Sequence, residues 1–291
     1  MNQEQINKIE NAQNNLKKYQ GDLLYKYKSL TLCAGYNKEN ENLPDITKDN
    51  VKRMIDIINN KRLYIPKVED LNDPFEGRYL KYKTFGYAGC SLSESIKGKR
   101  HNLSVYSKSG ILSVSSSAQV QQLWAYYCDN YTGACLVFKN TGILSNGIIM
   151  NYYDNNIDLG CVSETTDIIK INDINLYYKT QGWFPEQEVR LIYSDNELIE
   201  KKFLDVSKQL IAVILGHNVE DYQKTIISKV CKDNNIELYT TYLNHVDLCL
   251  YIIPYNFVLN VDGSKTINQQ VEMYLQANNC LLDINGKLRE M

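Results

Sequence analysis

The chain has 291 residues, enough for one large or two ordinary domains, and a globule of that size buries roughly three quarters of its unfolded surface without help from disulfides or metal. Hydrophobic residues make up 44% and charged residues 23%, an ordinary globular mix that excludes disordered, collagenous and coiled-coil classes. Lys+Arg of 32 against Asp+Glu of 34 leaves a formal net charge of -2, so no overall field draws the chain to nucleic acid or anionic lipid.

Taken from the N-terminus, Ile6, Ile9, Ala12 and Leu16 have near-helical spacing and predict an amphipathic helix over residues 4–20, a surface for the body or for a protein partner. Leu23 to Tyr27 alternates apolar and polar residues and reads as the first strand. After a loop from Gly35 to Pro44, Thr47 is placed to cap a helix carrying Val51, Met54, Ile55 and Ile58 on one face. Leu63 to Ile65 is a short strand, and Asn72-Asp73-Pro74 marks a turn within Leu71 to Gly77. Phe85 to Leu92 and Ile111 to Ser115 are strands separated by a basic loop, Lys97 to His101.

A helix with Val120, Leu123, Trp124 and Tyr127 on one face follows, and Gly133 releases the chain into the strand Ala134 to Phe138. Ile143 to Tyr153 and Val189 to Tyr193 read as strands, with a helix from Asp173 to Thr180 between them. Leu210 to Leu215 is a buried strand, and Asn218 is the expected cap of a helix whose apolar face is Val219, Tyr222, Ile226, Ile227 and Val230. Ile236 to Tyr242 and Leu248 to Ile253 suggest a closing hairpin. Strands outnumber helices without regular alternation, which favours an α+β class with mixed, mainly antiparallel sheets and flanking helices. The expected division is an N-terminal helix over 1–20, a body over 21–261 and an extension over 262–291.

The apolar runs fall far short of the roughly 20 residues that cross a bilayer, and the polar N-terminus lacks a secretory h-region, so a cytoplasmic location is expected. Eight cysteines are scattered, mostly within apolar stretches, with no C-x-x-C pair, and three histidines lie far from other ligand types. Neither a zinc site nor a Ser-His-Asp triad is expected, and neither G-x-G-x-x-G nor a Walker pattern appears.

Three clusters place costly residues beside strand ends. Asn72 and Asp73 belong to the turn before Phe75-Glu76-Gly77, where local physics favours an Asx turn. Trp124, Tyr126 and Tyr127 share a helix, whose apolar face reads first as core. In Trp183 to Arg190, strand periodicity puts Glu186, Glu188 and Arg190 on one face.

Together with Leu24-Tyr25-Lys26-Tyr27-Lys28-Ser29-Leu30, these segments resemble the bacterial domain family of unknown function DUF2971. The motifs are Leu71 to Glu76, Leu123 to Phe138, Trp183 to Ile192 and Ile211 to Gly216, within residues 21 to 255. Where that family often carries histidines, this chain has Tyr126 and Tyr131. The resemblance implies a phage-defence or toxin-like role.

The Tyr-rich first strand, Ser113-Val114-Ser115 and the late Glu-x-Glu also resemble the three-part signature of ADP-ribosyltransferases, which implies a split sheet and NAD as substrate. On that likeness Glu188 stabilises the oxocarbenium character of the breaking N-glycosidic bond, Glu186 orients the acceptor, and Arg190 joins the catalytic set. Tyr25 or Lys26 stands where that superfamily has His or Arg, Tyr126 or Tyr127 stacks on nicotinamide, and Asn72, Asp73, Ser113, Ser115 and Trp124 complete the NAD-binding set.

Two other classes compete. Asp73, Glu76, Glu186 and Glu188 could hold Mg²⁺ for phosphodiester cleavage. Arg190 could instead pair with Asp73 or a Glu as a structural network inside a non-catalytic sensor or binding module for a ligand such as a small nucleotide.

Overall fold

The computed structural model describes residues 3, 7, 10, 11, 14, 16–31, 50–67, 71, 81–83, 110–153, 158–161, 176–193, 202–260 and 263–290. Gln3, Asn7, Glu10, Asn11 and Asn14 are helical and exposed, as the polar side of an amphipathic helix should be. The helix ends earlier than residue 20: Leu16 and Lys17 are already non-helical, and Lys18 forms an antiparallel bridge with Ile148.

The elements then run β1 (Leu23–Lys28), α1 (Asn50–Asn60), β2 (Arg62–Tyr64), β3 (Lys81–Lys83), β4 (Gly110–Ser115), α2 (Gln121–Tyr126) and β5 (Ala134–Lys139). A 3₁₀ turn (Gly142–Asn146) leads to β6 (Ile148–Ile149), β7 (Asn151–Tyr153), β8 (Asp158–Cys161) and β9 (Tyr178–Thr180). After a second 3₁₀ turn (Gln181–Glu186) come β10 (Glu188–Tyr193), β11 (Phe203–Asp205), β12 (Leu210–Leu215), α3 (Asp221–Asp233), β13 (Glu237–Asn244), β14 (Cys249–Pro254) and α4 (Ile267–Ala277). Most pairings are antiparallel and helices do not alternate regularly with strands, so the class is α+β.

Several expectations change. The single strand expected over Ile143–Tyr153 is a 3₁₀ turn and two short strands, entered through Gly142 at φ 58. Of the helix expected over Asp173–Thr180, the described part is a turn at Leu176-Tyr177 and a strand, Tyr178–Thr180, where Tyr and Thr suit a pleated surface. The cap of α3 is Glu220, not Asn218. Asn218 instead donates its side-chain amide to the Asn130 carbonyl at 3.0 Å, pinning the α2–β5 turn. The buried stripe of α3 is Gln223, Ile227 and Cys231, and Tyr222 and Ile226 are exposed; on α1 the buried stripe is Met54, Ile57 and Ile58. The loop Gly35–Pro44, Thr47, the turn Asn72–Gly77, the strand Phe85–Leu92 and the loop Lys97–His101 lie outside the described residues.

The chain divides into two compact units: residues 1–19, 64–113 and 145–204 form the first, and 20–63, 114–144 and 205–291 the second. In the first, β10 runs antiparallel to β6 with Arg190 opposite Ile148, and β7 runs parallel to β9 with Asn151 opposite Tyr178. A small core gathers Ile111 and Leu176 with Leu71 and Ile192.

The second unit is built on the strand order β14-β13-β12-β5-β1. Its one parallel pair among the described residues, β12 with β13, is joined by α3 in a βαβ crossover, and β13–β14 is the expected hairpin. The last residue of β4, Ser115, pairs with Tyr25 of β1. The core contains Tyr25, Tyr27, Trp124, Val137, Ile214 and Ile252, and Val271 and Leu275 of α4 belong to it. Helix α4 starts with a capping box in which Thr266 and Gln269 satisfy each other's backbone amides. Gly133 is required by close approach, since a Cβ there would stand 2.4 Å from the Lys28 carbonyl oxygen.

Candidate functional site

In the first unit, Glu188 opens β10 and Arg190 follows two residues later on the same face, as strand periodicity requires. Glu186 arrives differently: it ends the 3₁₀ turn, and Gln187 between the two glutamates is left-handed at φ 44 and ψ 46. The expected single-face line of Glu186, Glu188 and Arg190 is therefore made by a turn plus a strand.

A residue that the sequence did not single out joins them. Lys179 of β9 places Nζ 2.6 Å from Oε2 of Glu186 and 2.6 Å from Oε2 of Glu188. Arg190 donates Nε to Oε1 of Glu188 at 2.8 Å, sets Nη2 2.8 Å from the same oxygen, and donates Nη1 to the Leu176 carbonyl at 2.6 Å. All four side chains are buried, with exposures of 5% for Lys179, 9% for Glu186, 3% for Glu188 and 1% for Arg190. Two cations and two carboxylates give no net charge, the condition under which such a group tolerates removal from water.

Burial by itself would push the Glu188 carboxyl up, but Arg190 and Lys179 beside it, with a hydrogen bond from Ser113, outweigh that and hold it down at about 2. The backbone amide of Glu188 donates to the Tyr152 hydroxyl at 2.8 Å, and burial and the Glu188 charge raise the Tyr152 phenol. Tyr152 meets Phe184 edge-on with centroids 5.4 Å apart, and Lys179 Nζ lies 5.1 Å from the centre of the Trp183 ring. Phe184 remains 53% exposed at the tip of this turn, and a Cβ added at Gly182 would meet nothing within 4 Å.

The other candidates belong to the second unit or fall outside the described residues. Trp124 is core: it is 0% exposed, its indole N–H goes to the Ala118 carbonyl at 2.8 Å, and it stacks on Tyr131 with centroids 5.7 Å apart. Tyr126 is 77% exposed, and Tyr127 packs partly buried against the core. Tyr25 is buried with its hydroxyl donated to the Gly286 carbonyl, Lys26 is half-buried, and the buried Ser115 hydroxyl accepts the Ser117 amide at 3.3 Å. Asn72, Asp73 and Glu76 lie outside the described residues, so of the four proposed Mg²⁺ ligands only Glu186 and Glu188 are described, and Lys179 occupies the space between them.

Among the described residues no group of three or more His, Cys, Asp and Glu gathers where it could hold a metal ion, and no helix is long and apolar enough to cross a membrane. No protein-family model matches the chain, and neither a curated protein nor a solved structure matches it. The DUF2971 and ADP-ribosyltransferase likenesses thus rest on the motifs alone.

Proposed function

We propose that the chain is a non-catalytic binding module whose buried ion pairs fix a ligand-recognising turn. One observation carries this reading: both oxygens of Glu188 are engaged by Arg190 and Lys179 in a site where Glu188 is 3% exposed. A carboxylate so neutralised has little charge left to offer a developing oxocarbenium, and it serves as a strut. The strut holds the segment Gln181–Glu186, which offers Phe184 and Trp183 to a planar ring such as the base of a small nucleotide.

The second reading, an NAD-consuming ADP-ribosyltransferase, draws support from the Ser113 hydrogen bond to Glu188 and from the Glu186-Gln187-Glu188 turn at the head of β10.

One experiment separates the two. The chain has two tryptophans, and Trp124 is wholly buried, so ligand-dependent quenching of indole fluorescence reports on Trp183. NAD is added to wild type, Trp183→Phe and Glu188→Gln while free nicotinamide is measured. Saturable quenching that disappears in Trp183→Phe, without nicotinamide release, is the expected result. Nicotinamide release that is lost in a folded Glu188→Gln protein overturns the binding-module reading in favour of the transferase.

A further inference from the structure

The turn Gln181–Glu186 carries more recognition chemistry than its two rings. A 3₁₀ turn repeats every three residues, so Gln181 and Phe184 lie on one face, and both are exposed. The Gln181 amide thus offers a donor and an acceptor on the face that carries the Phe184 ring. Tyr152, half-buried, meets that ring edge-on, and its hydroxyl accepts the Glu188 backbone amide at 2.8 Å. A phenol both accepts and donates, and among the described residues no acceptor takes the Tyr152 proton. Burial and the Glu188 charge keep that proton on the oxygen, so the hydroxyl is a donor.

The charges of the site, in contrast, are already spent. Arg190 is committed to Glu188 and to the Leu176 carbonyl, and Lys179 to Glu186 and Glu188. At 5% and 1% exposure, Lys179 and Arg190 are too deep to reach a phosphate, and the four side chains together have no net charge with which to draw one.

The backbone beneath is held against local preference. Gln187, left-handed at φ 44, sits between two glutamates whose carboxylates share Lys179, so the buried ion pairs hold its strain at the foot of an exposed turn. The left-handed turn of the second unit differs. Asp129, Asn130 and Tyr131, at φ 44, 55 and 66, form a closed turn pinned by Asn218, whose backbone amide donates to the Tyr131 carbonyl at 3.1 Å.

We propose that the Gln181–Phe184 face binds a neutral purine base, stacked on Phe184 with the Tyr152 hydroxyl donated to a ring nitrogen, and that phosphate adds nothing to its affinity. A purine carries in-plane nitrogen acceptors for the hydroxyl, and the N6 amino group and N7 of adenine match a glutamine amide in both directions. Every base has a π-face for an exposed ring, and a two-ring base offers the larger one. The inference rests on the binding-module reading and narrows its ligand from a nucleotide to the uncharged base.

The test titrates the full chain with adenosine and with AMP at low and high salt while Trp183 emission is followed. The two probes are expected to bind within about threefold of each other, with no dependence on salt. Phe184→Ala, at an exposed position, should weaken adenosine by at least about tenfold. Tyr152→Phe should weaken it by about three- to tenfold while leaving the Trp183 emission maximum of the free protein in place. Thermal unfolding verifies that both variants are folded. AMP binding more than about threefold tighter than adenosine, with an affinity that falls as salt rises, overturns the inference and leaves the module reading standing. Folded Phe184→Ala or Tyr152→Phe proteins that bind adenosine as the wild type does also overturn it, as does a shifted Trp183 emission in Tyr152→Phe, which assigns Tyr152 to holding the turn. Failure of both probes to quench Trp183 at millimolar concentrations overturns the module reading together with the inference.

Discussion

The ammonium of Lys179 and the carboxylate of Glu188 meet at 2.6 Å with side-chain exposures of 7% and 3%, and the same ammonium reaches Glu186. Removing a cation from such a pocket leaves carboxylates buried with less than their counter-charge. Lys179→Met is therefore expected to destabilise the first unit by about 3–5 kcal/mol, the usual cost of stripping one partner from a buried pair. Urea unfolding followed by circular dichroism measures it, and a loss under 1 kcal/mol would show that the pair does not carry the site.

The same pair sets an acid limit on stability. Glu188 is held at about 2 in the folded chain, below the roughly 4.3 of an unfolded glutamate. A carboxyl depressed on folding contributes stability that is present above the unfolded value and is lost as pH falls towards the folded one. The stability gap between wild type and Glu188→Gln should be constant above about pH 5 and shrink between roughly pH 4.3 and 2. A gap that does not change with pH across that window would mean that Glu188 is not ionised in the fold.

His217 acts in the same direction at higher pH. Burial is the main cause that lowers its pKa, helped by His245 and Lys224, while Thr241 lies 3.0 Å from Nδ1 and the Tyr131 ring centroid 4.6 Å from its own. The fold thus favours the neutral ring, and stability present above about pH 6.5 should decline as pH falls through the folded value. Replacing His217 by Gln should flatten the melting-temperature profile between about pH 7 and 5; an unchanged slope would assign that pH dependence to other groups.

Two glycines should differ sharply in their tolerance of alanine. At Gly216 a Cβ would stand 2.0 Å from the Tyr131 carbonyl oxygen, so Gly216→Ala must displace the left-handed turn and should cost about 2 kcal/mol or more. At Gly182 a Cβ meets nothing within 4 Å, and Gly182→Ala should lie within about 0.5 kcal/mol of the wild type. Equal melting temperatures for the two variants would contradict the packing around Tyr131.

Much of the strand content was readable from local pattern. β1, β5, β12 and the β13–β14 hairpin follow runs in which apolar character and turn residues act over a few positions, so neighbouring side chains alone decide them. That Glu188 and Arg190 share a face was readable for the same reason, because two residues apart on a strand means one face. Where local pattern was ambiguous, at Leu176 to Thr180, the partner strand Asn151–Tyr153 settled the outcome.

Composition, charge and periodicity by themselves determined the α+β class, the main strands and the shared face of Glu188 and Arg190 on β10, since each depends on spacing along the chain. Only the tertiary structure decided that Lys179 enters between Glu186 and Glu188, that Trp124 is core, and that Asn218 pins a left-handed turn instead of capping a helix. It also brought Asp129 to Ser29 and Thr31 across about a hundred residues of chain. Such contacts join segments with no sequence relation, and their energies depend on burial and exact geometry, which exist only once the chain has folded.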